Sequence, residues 1–392
     1  MRVPALAGVV IAAALLGGAA GVVVADRAGL IDGETTISVA APETQAPERA
    51  AAPPIRTTGF DPARIYANRS GGVVTIYADL GPDGQSQGSG FVVDRKGTIL
   101  TNAHVITNVA SSSNVRGARA VFVEYADGER APAEIVGWDL FSDVGAIRVD
   151  AGDHTLQPVP LGNSADVVVG QPVAAIGSPF GNQTSLAVGV VSATGRSIAS
   201  LTSRYAVADA IQIDAPINRG NSGGPLFDAA GRVIGINAQI RSNSGTAEGV
   251  GFAIPINVAK RALDQLIRTG RVAYAYIGIT TQDVTPGLAR RFGVAADRGA
   301  LVVAVEPGTP AARAKLRAGS QRESYNGLSV TLGGDVIVAI AGKPVRSADD
   351  VSRIVTDELM PGETVPFEVL RDGDTPVTVQ VALGERPLQP SS

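Results

Sequence analysis

From residue 73 onward, apolar and polar positions alternate in short runs, each closed by glycine, proline, asparagine or aspartate. A period of two is the pattern of a half-buried strand, and the closing residues are those that turns require. The runs predict strands over 73–77, 88–93, 99–105, 120–125, 133–136, 144–149, 172–176, 185–192, 210–213, 233–239 and 251–254. Two helices flank them. Asp61 followed by Pro62 reads as an N-cap with a first-turn proline, and Gly71-Gly72 ends that helix. After Pro255 and Asn257, the set Val258, Ala262, Leu263, Leu266 and Ile267 follows helical spacing up to Gly270. Many short strands without alternating helices predict a mainly β domain over 60–270, a barrel or sandwich. They argue against an α/β sheet.

The pattern restarts after Tyr274. A strand is expected over 300–305 and a short helix from Pro307. Gly334 leads into an apolar run to Ile340. Ser347-Ala348-Asp349-Asp350 starts a helix with Val351, Ile354, Val355 and Leu359 on one face. Val365, Phe367 and Val369 alternate, Asp372-Gly373 turns, and Val377, Val379 and Val381 alternate back, which is a hairpin. This makes a second domain over 274–386. Residues 321–332 are polar and read as an insertion without a functional account.

The amino end departs from both patterns. Residues 3–25 carry no charge and are mostly Ala, Val, Leu and Gly. A helix of that length spans roughly 30 Å, about the hydrocarbon thickness of a bilayer. An uncleaved anchor within 1–30 is favoured over a removed signal peptide, whose apolar core is shorter. Arg2 favours a cytoplasmic amino terminus with the bulk of the chain outside. Residues 31–59 turn to Ala, Pro, Thr and Glu without periodicity and read as a disordered linker.

Composition narrows the chemistry. A length of 392 residues fits two domains plus extras. The formal charge is −4 with no Lys/Arg run, which argues against nucleic acid as a partner. The absence of cysteine excludes disulfides, thiolate catalysis and cysteine-held metal.

Ser222 sits in Gly220-Asn221-Ser222-Gly223-Gly224, directly after a β-rich run. A serine hydroxyl needs a base and oxyanion donors to act as a nucleophile, and flanking glycines let backbone N–H groups approach a carbonyl. The stretch formally matches the elbow of α/β-hydrolases, but those place their histidine after the serine. Here both histidines, His104 and His154, come earlier. With an all-β fold the remaining order is His–Asp–Ser, which makes His104 the base. His154, in a polar turn, reads as solvated loop. Of the acids between, Asp143 directly precedes an apolar strand and is expected to orient the imidazole. Asp139 is expected to cap its own loop, and Asp214 a strand end.

Four stretches together, Thr101-Asn102-Ala103-His104-Val105, Asp139-Leu140-Phe141-Ser142-Asp143, Ile176-Gly177-Ser178-Pro179-Phe180-Gly181 and Gly220 through Leu226, resemble the HtrA/Deg family. The family consists of chymotrypsin-like serine endopeptidases with PDZ domains. The resemblance implies two six-stranded barrels with the site between them. It implies Ser222 as nucleophile, His104 as base and Asp143 as orienter. The oxyanion hole would be formed by the N–H groups of Gly220 and Ser222, with Asn221 shaping the loop. It further implies a homotrimer acting on unfolded or misfolded polypeptides outside the cytoplasm, without metal or organic cofactor. The residue before Gly220, often proline in the family, is Arg219, and activity is expected to survive this. The specificity pocket is expected under Pro216 and Ile217 and beside Asn237, Ala238 and Gln239, with cleavage after medium aliphatic residues. The second domain resembles a PDZ domain, with Tyr276-Ile277-Gly278-Ile279 as the loop that takes the terminal carboxylate of a peptide. A dormant peptide-binding chaperone or adaptor, or a signalling protease making one defined cut, are the competing readings.

Overall fold

In the computed structural model the described residues are 59–387, apart from 113, 151, 153, 179–183, 201, 204, 219 and 239–249. The expected anchor and nearly all of the linker lie outside them, as do Pro179-Phe180-Gly181, Arg219 and Gln239. Among the described residues no helix is long and apolar enough to cross a membrane.

The first helix, α1 (Pro62–Arg69), is capped by Asp61, whose side chain accepts the Arg64 N–H. Six strands follow: β1 (Val73–Asp79), β2 (Gln85–Val92), β3 (Thr98–Asn102), β4 (Ala120–Glu124), β5 (Arg130–Asp139) and β6 (Val144–Val149). They close into an antiparallel barrel in the order β1-β2-β3-β6-β5-β4. Its interior is filled by Ile76, Ile99, Val123 and Ile147. A second barrel, β10-β11-β12-β9-β8-β7, is built from β7 (Pro172–Gly177), β8 (Ser185–Ala199), β9 (Ala206–Ile213), β10 (Pro225–Phe227), β11 (Val233–Ala238) and β12 (Gly251–Pro255). Val173, Ile211, Ile213 and Leu226 fill it. A further cluster, including Phe91, Leu100, Phe227 and Ile236, joins the two barrels. Each strand of six residues or so can bury only one face, and closing six into a barrel hides every edge but the rims.

Two expectations are corrected here. The strand predicted over 99–105 stops at Asn102, and His104 lies on a one-turn helix, α2 (Ala103–Ile106). The backbone leaves the ladder because Asp143 captures it: the Asp143 carbonyl accepts from Ala103 N at 3.1 Å and from Asn102 Nδ2 at 2.9 Å. The segment 225–227, given no strand by its pattern, forms β10, which is three residues long and fully buried.

The last helix of this half, α3 (Ile256–Thr269), lays Val258, Ala262, Leu263 and Leu266 against the joining cluster. The chain then enters the second half through β13 (Ala275–Tyr276), which pairs with the terminal β22 (Gly384–Glu385). Between them lie β14 (Ile279–Val284), α4 (Pro286–Phe292), β15 (Gly299–Val305), α5 (Pro310–Arg313), β18 (Val336–Ile340), α6 (Ala348–Arg353), β20 (Thr364–Arg371) and β21 (Thr375–Ala382). The sheet runs β14-β15-β18-β20-β21, which leaves β14 at an edge, and β19 (Lys343–Pro344) pairs with β18 off this path. The expected insertion folds as its own hairpin, β16 (Gln321–Tyr325) with β17 (Leu328–Leu332). The described residues form one compact unit.

Candidate active site

The register of the first barrel puts the two halves of a dyad side by side. β3 pairs with β6 so that Asn102 stands opposite Val144. The residue before Val144 is Asp143, and His104 follows Asn102 by two. The Asp143 carboxylate accepts the His104 backbone N–H at Oδ1, 3.0 Å, and its Oδ2 lies 2.7 Å from His104 Nδ1. With the carboxylate ionised, Nδ1 carries the proton and Nε2 is left as the free base. Asp143 has φ +57°, a left-handed conformation that costs a non-glycine residue energy and persists only where the surroundings impose it. Here they do, through the bonds to Asn102, Ala103 and His104.

Burial by itself would lower the imidazole pKa, but the Asp143 charge and hydrogen bond outweigh it and hold the group above the usual 6.5. The ring keeps 18 % of its surface, so it is reachable from the cleft.

The serine loop comes from the second barrel and is braced by the first. Ser89, on β2, donates its hydroxyl to the Gly220 carbonyl at 2.5 Å and accepts the Ser178 N–H at 2.8 Å. Its own N–H donates to the Ser222 carbonyl at 2.8 Å. Gly223 fits only because it has no side chain: a Cβ there would fall on the Ser89 carbonyl oxygen and the Thr101 hydroxyl, 3.1 Å from Asn102 N. That contact sets Ser222 beside the end of β3, next to the turn that carries His104. Asn237 holds the loop from the other side. Its carbonyl accepts from Gly223 N at 2.9 Å and its Nδ2 donates to the Pro225 carbonyl at 3.1 Å.

Ser222 Oγ is buried and makes no hydrogen bond within the described residues. Asn221 N donates to the Asn218 carbonyl at 3.0 Å, whereas among the described residues the N–H groups of Gly220 and Ser222 donate to nothing. The serine loop thus holds two backbone donors without an acceptor among the described residues, and an oxyanion needs such donors.

Of the expected pocket residues, Pro216 is exposed while Ile217 and Ala238 are buried. Asn237 is fully buried, its carbonyl and Nδ2 bracing the serine loop while its Oδ1 has no partner among the described residues. Asp139 does cap its loop, accepting the Phe141 N–H at 2.9 Å. Asp214 follows the last residue of β9, and its side chain accepts the Val190 N–H of the neighbouring β8 at 2.6 Å. His154 differs from the expected solvated residue: its ring lies 4.5 Å from that of Tyr125, partly shielded, with Asp127 at 3.8 Å.

In the second half, Ile277 and Gly278 bridge β13 and β14. Their carbonyls are taken by Ala311 N and Glu306 N, each at 2.9 Å. Among the described residues their N–H groups donate to nothing, which leaves them free for an anion at the open edge strand. Tyr276 is turned aside, its hydroxyl donating to Glu306 at 2.6 Å.

Sequence reasoning missed Ser89, a small polar residue between two glycines of β2 that carries no local signal of its distant bonds.

Comparison with known proteins identifies both halves of the chain. Residues 88–236 match the family described as trypsin-like peptidase domain, and residues 275–383 match the PDZ domain family. The chain is 41 % identical over 303 residues to protease Do-like 1, chloroplastic, of Arabidopsis thaliana, covering 77 % of this chain and 64 % of that one. It is 40 % identical to a probable periplasmic serine endoprotease DegP-like of Halomonas elongata, covering 77 % of this chain and 57 % of the relative. The chain therefore spans somewhat over half the length of these curated relatives. Among solved structures, the HtrA-type protease AlgW with tripeptide superposes with a TM-score of 0.67 at 33 % identity, covering 83 % of this chain and 98 % of that one. The serine endoprotease from Yersinia pestis gives a TM-score of 0.59 at 30 % identity, covering 83 % and 98 %.

Proposed function

The chain belongs to the HtrA family of trypsin-like proteins bearing a PDZ domain, and from that premise we propose that it is a serine endopeptidase acting on unfolded or damaged polypeptides outside the cytoplasm. The observation that carries this reading is the His104–Asp143 dyad placed against a braced serine loop with two unused N–H donors.

In this reading Ser222 Oγ attacks the scissile carbonyl carbon while His104 Nε2 takes the hydroxyl proton. The carbonyl π pair moves onto oxygen, where the N–H groups of Gly220 and Ser222 stabilise it. Asp143 holds the imidazole in the required tautomer and balances its transient charge. Collapse breaks the C–N bond, and the His104 proton goes to the leaving amine. Water, deprotonated by the same imidazole, then hydrolyses the acyl ester and frees Ser222. The missing hydrogen bond at Ser222 Oγ fits a resting site that tightens once a substrate is seated.

The PDZ half is proposed to take peptide carboxyl termini along the edge strand β14, opposite α6, with the carboxylate on the N–H groups of Ile277 and Gly278. Residues 3–25 are proposed as a single-pass anchor that leaves both folded halves extracytoplasmic. The DegP-like relative from Halomonas elongata is named as periplasmic. A homotrimer remains the proposal for assembly.

The test is hydrolysis of an unfolded casein-like substrate by the purified chain and by Ser222→Ala. Turnover by the first and none by the second is the expected result. Equal turnover in both would favour a dormant peptide-binding adaptor, the reading that the unbonded Ser222 hydroxyl would otherwise support.

A further inference from the structure

Asp139 is buried in a manner the reaction scheme does not use. Only 2 % of it is exposed. Its carboxylate accepts the Phe141 N–H and the Ser142 hydroxyl, which fold residues 139–142 into the turn that leads to Asp143. A third donor comes from far along the chain: the Tyr274 hydroxyl reaches Asp139 Oδ2 at 2.5 Å. Tyr274 lies in the segment between α3 and β13 and is itself buried.

Tyr274 is in turn fixed by the far end of the PDZ half. Its carbonyl accepts from Arg386 N at 2.9 Å. The Arg386 guanidinium lies 5.7 Å from the Tyr274 ring centroid, 5.6 Å from that of Phe141 and 5.0 Å from that of Tyr205. It also donates to Thr356 Oγ1 at 3.0 Å. Thr202, from the loop before β9, donates to the Leu140 carbonyl at 2.5 Å. Arg261 also acts on Tyr274 and pairs with Asp357 at 2.7 Å across the same seam, and Asp209, Asp349, Asp350 and Arg353 line the cleft beside them.

This seam is not a packed core. A cleft of about 390 Å³, lined by Phe141, Ser142, Tyr205, Tyr274 and the outer face of α6, opens beside Tyr274. The turn before Asp143 is therefore held from this side by a few directed contacts, and one of them is supplied by the segment that opens the PDZ half. Asp143 is in a left-handed conformation that must be imposed from outside. A loosened turn would let it relax away from the imidazole.

We infer that Tyr274 is a positioning residue for the His104–Asp143 pair: its hydroxyl fixes Asp139, and Asp139 fixes the turn that presents Asp143 to His104. Tyr274 touches no reacting atom. The inference rests on the proposed roles of His104 and Asp143, and its test separates the two.

The chain has two histidines, so both titrations can be followed by NMR in one sample. They are compared in Ser222→Ala protein with and without Tyr274→Phe, which keeps the ring and removes the hydroxyl. The expected result is a fall in the His104 midpoint by about half a pH unit or more, because the opposing carboxylate is less well placed, with His154 unmoved. In the active chain, Tyr274→Phe should lower kcat about five- to tenfold with KM within twofold. Asp139→Asn should do the same, and the double variant should be no worse than the worse single one. An unchanged His104 midpoint in folded Tyr274→Phe protein overturns the inference, as does a double variant whose losses multiply. If the hydroxyl-less variant does not fold, the Asp139→Asn titration decides by the same criterion. Failure of the protease reading would appear instead as equal turnover by wild type and Ser222→Ala, and it leaves the titration result standing.

Discussion

Asp143 grips His104 at two points, the backbone N–H at 3.0 Å and the ring Nδ1 at 2.7 Å, so that position and tautomer are fixed by one carboxylate. Both bonds depend on a register set by β3 and β6, in which Asn102 faces Val144. A shift of that ladder by one residue would move Asp143 out of step with Asn102 and break both bonds.

The first prediction concerns pH. The base must be neutral to act, and the His104 pKa is raised above 6.5 by the Asp143 charge and hydrogen bond, which outweigh burial. Hydrolysis should fall as pH drops through a midpoint above 6.5. Stability runs the other way. A raised folded-state pKa contributes stability that is complete below the unfolded value and is lost as pH rises through the folded one. Ser222→Ala protein, which cannot digest itself, should therefore melt at a higher temperature at pH 6 than at pH 8 from this pair. Asp143→Asn should flatten that contribution and lower kcat by roughly three to four orders of magnitude.

Ser89 leads to a second prediction. Its hydroxyl is the donor to Gly220 O and the acceptor from Ser178 N, so Ser89→Ala strands two buried backbone groups. The cost should be about 1–3 kcal/mol in urea unfolding. Because the Gly220 carbonyl sets the orientation of the loop holding the oxyanion donors, kcat should fall at least about tenfold, with KM little changed. Full activity in a stably folded Ser89→Ala chain would show that the loop holds its shape without this brace.

What could be read from the sequence divides along physical lines. Period-two alternation and turn residues are local signals, and they located most strands, both ends of α3 and the hairpin turn at Asp372-Gly373. Chain order and motif composition singled out His104, Asp143 and Ser222, and of these His104 and Asp143 are hydrogen-bonded. Most of the failures involve partners distant in sequence. Ser89 bonds to a carbonyl 131 residues away, and nothing in Gly88-Ser89-Gly90 foretells it. The same holds for Asp139, whose local cap was foreseen but whose bond to Tyr274, 135 residues on, was not. The expected strand over 99–105 includes His104 because the run around it is apolar. The Asp143 carbonyl, in the turn just before β6, draws the chain out of the strand there. β10 is too short for alternation to register.

The third prediction is specificity. The position six residues before Ser222, an aspartate in trypsin-like enzymes that cut after basic residues, is Pro216 here. With the buried Ile217 and Ala238 nearby, the pocket is proposed to be small and neutral. Cleavage products of an unfolded substrate, sequenced by mass spectrometry, should end mainly in Val, Ala or Ile. A majority ending in Lys or Arg would remove the proposed pocket.

A fourth prediction tests the peptide groove without altering the protein. Gly278 has φ +77° and sits where a Cβ would strike Thr309, so the loop brings its backbone close to whatever binds there. If the N–H groups of Ile277 and Gly278 hold a carboxylate, amidating the carboxyl end of a bound peptide should weaken binding at least tenfold in fluorescence anisotropy. The loss would come from exchanging charge-assisted hydrogen bonds for a neutral group that also carries donors. Equal affinity of acid and amide would place the peptide's end elsewhere.

The last prediction concerns the stability of the PDZ half, and it explains why an aspartate follows the two glycines before β18. Asp335 is 1 % exposed. Its carboxylate receives Arg371 Nε at 2.9 Å and Nη2 at 2.8 Å, and also Arg317 N at 2.9 Å. Its backbone carbonyl accepts Val302 N at 2.9 Å, so one residue ties β15, β18, β20 and the segment after α5. Removing the arginine leaves a desolvated carboxylate with a single backbone donor, whereas removing both charges leaves no buried ion. Arg371→Leu should therefore destabilise this half by about 3 kcal/mol, and adding Asp335→Leu should recover part of that loss. Recovery should be incomplete, because Arg317 N then has no acceptor in the buried site. The measurement is urea unfolding of the single and double variants in the Ser222→Ala chain. A double variant less stable than Arg371→Leu would mean that the arginine's absence is tolerated and that Asp335 acts chiefly through Arg317.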